Sequence, residues 1–135
     1  MPDSAPLIRK LQATIPATAA AADYDQSLGE APFAGTVTSV SYTPEANITG
    51  ADVESRTFTL VNKGADGNGT TVVATLAMTN GVNMADFDEK ALTLSVVAGA
   101  TTVAEGDILA FVSTHVGATG LADPGGLVQV EISRN

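Results

Sequence analysis

A chain of 135 residues is the length of one domain, long enough to bury roughly two-thirds of its unfolded surface. Six Lys and Arg against fifteen Asp and Glu leave a net charge of −9, which repels phosphate backbones and anionic lipid and speaks against nucleic-acid or membrane partners. The absence of Cys and the presence of a single His, His115, exclude disulfides, thiolate chemistry, a Cys-based zinc site and a multi-histidine metal site within one chain.

Residues 1–32 read as an extended arm, separate from a domain at 33–135. Pro6, Pro16 and Pro32 interrupt regular structure. Ala19 to Ala22 have helical propensity, but a segment this short is marginal alone. Leu7, Ile8, Arg9, Lys10 and Leu11 form an apolar and basic patch, and the apolar Leu7, Ile8, Leu11 and Ile15 favour a docking arm over a frayed end. No secretory pattern is visible here, and no run approaches the eighteen or so apolar residues of a membrane span.

From Phe33 the hydrophobic period becomes two. Gly35–Tyr42 is a Thr/Ser/Val strand whose alternation slips near Ser39, as at a bulge. Arg56–Asn62 places Phe58 and Leu60 on one face. Thr70–Thr79 returns after the Gly-rich turn 63–69, with Val72, Ala74, Leu76 and Met78 expected inward. Asn83 is positioned to cap a short helix, Met84–Lys90. Ala91–Val97 alternates again, with Leu92, Leu94 and Val96 on one side. Ile108–Thr114 and Leu127–Ile132 complete at least six strands joined by Gly-rich turns. The expected fold is all-β: an antiparallel, jelly-roll-like β-sandwich with one short helix and an extended N-terminal arm.

Candidate chemistry is sparse. Asp66, Asn68 and Thr70 have the spacing of a calcium loop's first ligands. Thr71 and Ala77 then stand where Gly and a bidentate Glu are needed, so a hairpin turn is the better reading. Asp86, Asp88 and Glu89 cluster on the expected helix, where a solvated acidic face is favoured over acid–base work. His115 ends an apolar strand. It reads as a surface or hydrogen-bonded residue before a pH-sensitive contact or a metal ligand shared on a symmetry axis. Tyr24 and Tyr42 are the only aromatics expected outside the core, too few for a clear sugar platform. No catalytic residue, metal site or cofactor is assigned.

The stretches Val103–Ser113, Gly117–Gly120 and Asp123–Ile132, together with Gly35–Pro44 and Arg56–Gly64, resemble small capsid proteins of tailed bacteriophages, the head decoration (cement) and head-fibre proteins. The resemblance covers about residues 33–133. It rests on strand and turn patterns and carries no catalytic residue across. It implies a β-sandwich, usually trimeric, seated where capsid subunits meet. The expected partners are the major capsid protein and further copies of the chain, as a homotrimer, on the virion surface after synthesis in the bacterial host cytoplasm. Lattice docking falls to Leu7, Ile8, Arg9, Lys10 and Leu11, whose basic pair suits an acidic shell surface. The alternative is a receptor- or glycan-binding sandwich displayed on a particle.

Overall fold

The structure is a computed structural model that describes residues 7–135. No described residue is helical. The strands are β1 (Ile8–Ile15), β2 (Tyr24–Glu30), β3 (Gly35–Pro44), β4 (Ile48–Thr49), β5 (Ser55–Asn62), β6 (Thr71–Ala77), β7 (Asn83–Met84), β8 (Lys90–Ala91), β9 (Thr93–Leu94), β10 (Thr102–Val103), β11 (Ile108–Val116) and β12 (Gly126–Arg134). One sheet runs β1-β12-β3-β10, with β8 also on β3. The other runs β2-β11-β5-β6-β9. All the strand pairs are antiparallel, and β4 and β7 form a small separate ladder.

The two sheets close on a core of alternating residues. Val37, Val40, Tyr42, Val128, Val130 and Ile132 come from the first sheet; Phe58, Leu60, Val73, Leu109 and Phe111 come from the second. With so few aromatics, three rings carry the centre. Tyr42 lies 4.9 Å from Phe58 and 5.3 Å from Phe111, centroid to centroid, and so joins the sheets. The expected hairpin is β5–β6, and the slip near Ser39 is a bulge, because Glu131 pairs with Ser39 but Ile132 with Val37.

Four expectations are corrected. Met84–Lys90 is not a helix: Met84 ends β7, Lys90 begins β8, and 85–89 is a loop between them. Phe87 has φ 56°, its amide donates to the Pro44 carbonyl, and the Asp86 amide donates to Asn47 Oδ1. The helical i−4 bonds are therefore replaced by bonds to loop 44–47, and Asn83 Oδ1 accepts from the Gly50 amide instead of capping. In β6 a second bulge, between Leu60 and Val61 of its partner, turns Val73 inward and leaves Val72 exposed. The 91–97 alternation ends at Leu94, so Val96 is exposed rather than inward. Finally, the described part of 1–32 does not stand apart from the sandwich. β1 pairs with β12 along its whole length and β2 pairs with β11, so the segment supplies an edge strand to each sheet.

A buried polar cluster secures that segment. Arg56 is 0% exposed. Its Nε donates to the Leu121 carbonyl at 2.6 Å and its Nη1 to Ser113 Oγ at 2.8 Å. Its Nη2 donates to the carbonyls of Ala19, Ala20 and Ala22 at 3.0, 3.3 and 2.8 Å. Ser113 Oγ donates to Asp123 Oδ2 at 3.0 Å, and the Tyr42 hydroxyl donates to Asp123 Oδ1 at 2.6 Å. The alanine run is thus a turn whose carbonyls are held by a guanidinium. Thr18 and Asp123 exchange backbone hydrogen bonds beside it. Burial lowers the guanidinium's pKa, opposed chiefly by Asp123, but an Arg begins high enough to remain charged. Burial, then the Asp123 carboxylate, raises the Tyr42 phenol well above its ordinary value, keeping it a neutral donor.

Arg56→Met keeps the bulk but leaves the Ala19, Ala20, Ala22 and Leu121 carbonyls without this donor and Asp123 without its counter-charge. Urea unfolding should show a loss of about 3–5 kcal/mol. Arg56→Lys should fall between, because an ammonium cannot serve the same set of acceptors.

Candidate functional site

β1 is the edge of the first sheet, and its outer side carries no strand partner. Alternation splits the five residues expected to dock. Leu7 and Leu11, with Ala13, pack against the core, and Ile15 belongs to it. Ile8, Lys10, Gln12 and Thr14 point the other way. Ile8 is 45% exposed. Arg9 is on the Leu11 face but beyond the tight part of the core, and its side chain is exposed, with Nη1 donating to the Ile8 carbonyl. Ile8, Arg9 and Lys10 are therefore free to meet a partner, whereas Leu7 and Leu11 anchor the strand.

Electrostatics single out the same strand. Residues 7–22 hold Arg9 and Lys10 and no carboxylate, in a chain of net charge −9. Lys10 pairs across the strands with Glu131, and Arg9 with Ile132. Among the described residues, no Lys or Arg lies within ion-pair distance of a carboxylate. Both cations thus remain available on an open edge. Charged edge residues also disfavour unspecific strand pairing.

The end of the sandwich beside the Arg56 cluster holds two carboxylates in built positions. Asp23 Oδ1 accepts from the His115 amide at 2.9 Å and lies 2.6 Å from its Nδ1. Those contacts lower the Asp23 carboxyl, the backbone amide contributing most. Glu54 Oε2 accepts from the Gly120 and Thr119 amides at 2.6 and 2.7 Å, which lowers its carboxyl, Gly120 first. Gly120 is required there: φ is +70°, and a Cβ would meet the Ala20 carbonyl at 2.5 Å. His115 is thus hydrogen-bonded at a strand end. Asp66 Oδ1 accepts from the Asn68 amide within the hairpin turn. Among the described residues no three His, Asp or Glu converge as a metal-binding group.

Asp88 and Glu89 border a groove of about 400 Å³ shared with Asn47, Thr49, Asn83 and Lys90. Glu89 accepts from Ser41 Oγ at 2.9 Å. Phe87, between the groove-lining Ala85 and Asp88, is 71% exposed and holds the positive φ noted above. Of the two aromatics expected at the surface, Tyr42 is in the core and Tyr24 is half-buried. Phe87 is missed in the sequence because it falls within the expected helix and only Tyr24 and Tyr42 are expected outside the core.

Comparison with protein-family models, curated proteins and solved structures returns no match to this chain.

Asp23 and Glu54 set an acid limit on stability. Their ordinary values are 3.8 and 4.5, and folding lowers both. Their contribution is full above about pH 4.5 and is lost as pH falls through the folded values. Thermal melts between pH 7 and pH 2.5 should show the midpoint dropping below that pH. Asp23→Asn with Glu54→Gln should lower the midpoint at pH 7 and flatten its fall. An equally steep fall in the double variant would place the acid sensitivity elsewhere.

Proposed function

We propose that this protein is a structural capsid decoration protein that binds the outside of a tailed-phage head and stabilises the lattice without making or breaking a covalent bond. The observation that carries the reading is the open β1 edge. It projects Ile8, Arg9 and Lys10 from an acidic body, while Leu7 and Leu11 fasten it to the core. The sequence resemblance to cement and head-fibre proteins supports the same reading. The partner is the major capsid protein, met through an acidic surface, and the working form is a homotrimer on the virion. A protein that binds the assembled shell but not its separated subunits stabilises the shell by mass action. Contacts repeated by linked copies around an axis add avidity.

The test is co-sedimentation of the purified protein with undecorated heads of the phage that encodes it. Arg9→Glu with Lys10→Glu should weaken binding roughly tenfold or more, and the difference should shrink as salt rises. Unchanged occupancy would remove β1 from the interface.

A second reading, a glycan-binding module displayed on a particle, is favoured by the exposed Phe87, which precedes the groove-lining Asp88 in the chain. The exposed ring offers a stacking face, and the groove lined by Asn47, Asn83, Asp88 and Lys90 offers hydrogen-bonding groups. On a glycan array this reading expects retention that Phe87→Ala abolishes; no retention by the wild-type protein would dismiss it.

A further inference from the structure

The two sheets have four lateral edges, and three carry charge. β1 bears Arg9 and Lys10; β2 bears Asp25 and Glu30. The edge beyond β3, formed by β8 and β10, holds Lys90. The fourth, formed by β6 and the two-residue β9, bears none. The sequence holds no charged residue from 67 to 85 or from 91 to 104, and these segments contain both strands. β9 covers β6 only at Ala74 and Thr75. Beside it lies an almost wholly apolar groove of about 310 Å³, lined by Val72, Ala74, Leu94, Val96 and Val97 among others. Val96 is 98% exposed, Val97 70% and Val72 44%. An open, uncharged edge with a contiguous apolar rim is the kind natural sheets otherwise guard against pairing.

The neutral surface extends over the outer side of the second sheet. One row of neighbours across the strands is Val112, Thr59, Thr75 and Thr93; the next is Ala110, Val61 and Val72. Charge appears only at the far margin, where Asp25 pairs with Val112.

We infer that this β6–β9 side is where copies of the chain meet one another. The argument for a second copy is electrostatic. Every copy carries −9, so association is least opposed where no charge is buried or brought near its like. Pairing β1 with β1 would bring Arg9 and Lys10 close to their copies, and pairing β2 with β2 would oppose acidic edges. A strongly basic partner would find nothing to pair with on this side. Val96 and Val97 of one copy, resting in the groove of the next, remove apolar surface from water at both ends of the contact. The inference rests on the self-association in the capsid reading and adds the surface that performs it. It leaves β1 free for the shell.

Sedimentation velocity of the full chain at neutral pH and physiological salt, from about 1 μM to 1 mM, tests it. The wild type should associate reversibly. Val96→Asp with Val97→Asp should weaken association at least tenfold while the melt measured at the lowest concentration is unchanged, since both side chains are solvent-exposed. Thr93→Lys should act in the same direction, and Thr14→Asp on the β1 edge should leave association intact. A wild type that stays monomeric throughout would overturn self-association itself. Association that survives the valine and Thr93 substitutions, or that Thr14→Asp abolishes, would overturn the assignment to this surface. Head binding by a monomer would contradict the inference yet leave the decoration reading standing.

Discussion

Arg56 is the residue on which the arrangement of the molecule turns. A buried guanidinium carries a large desolvation cost, and several hydrogen bonds are needed to offset it. Here they come from the Leu121 carbonyl, Ser113 Oγ and three carbonyls of the Ala19–Ala22 turn, with Asp123 balancing the charge through Ser113. No buried side-chain nitrogen or oxygen among the described residues lacks a partner. The gain is geometric: the corner between β1 and β2, otherwise a small-residue loop with little to bury, is held to β5, β11 and the loop before β12. Gly125 completes the fit, because a Cβ there would stand 2.8 Å from the Ile15 carbonyl.

Fixing that corner turns a leader into structure. Once Ala19–Ala22 is held, β1 lies on β12 and β2 on β11, and the molecule gains one basic and one acidic edge side by side. Three lateral surfaces then differ in kind: Arg9 and Lys10 on one, Asp25 and Glu30 on the next, and an uncharged Val and Thr edge across the second sheet. The proposed decoration role uses this separation, with one surface for the shell and another for further copies, so that the two contacts do not compete. Rigidity also limits the ordering entropy lost on docking, since an edge strand already fixed has fewer conformations to lose than a flexible arm.

Much of the sheet framework was legible in the residues. Phe58 and Leu60 alternate with Thr57 and Thr59, and the Gly64–Gly69 turn closes the hairpin. The lost phase at Ser39 marked the bulge. What escaped is tertiary. β1 lacks a clean period because Arg9 occupies an inward phase, and its partner β12 lies at the opposite end of the chain. Asn83 followed by Asp86 has the local form of a capped helix, but Pro44 and Asn47 compete for the amides and win. The five residues proposed for docking are contiguous in the sequence, yet the two faces of a strand divide them, which a flexible arm would not. Nothing local distinguishes Arg56 from a solvated strand cation; only the carbonyls gathered around it do.

Amide hydrogen exchange on the unmodified protein tests the account most directly, comparing the β1 and β2 amides that donate to β12 and β11 with amides of the central β5. If the Arg56 corner makes the N-terminal segment part of the sandwich, those amides should be protected by many orders of magnitude over an unfolded chain and should open only with the β11–β12 body. Exchange of residues 8–15 at near-unfolded rates, while β5 stays protected, would contradict it.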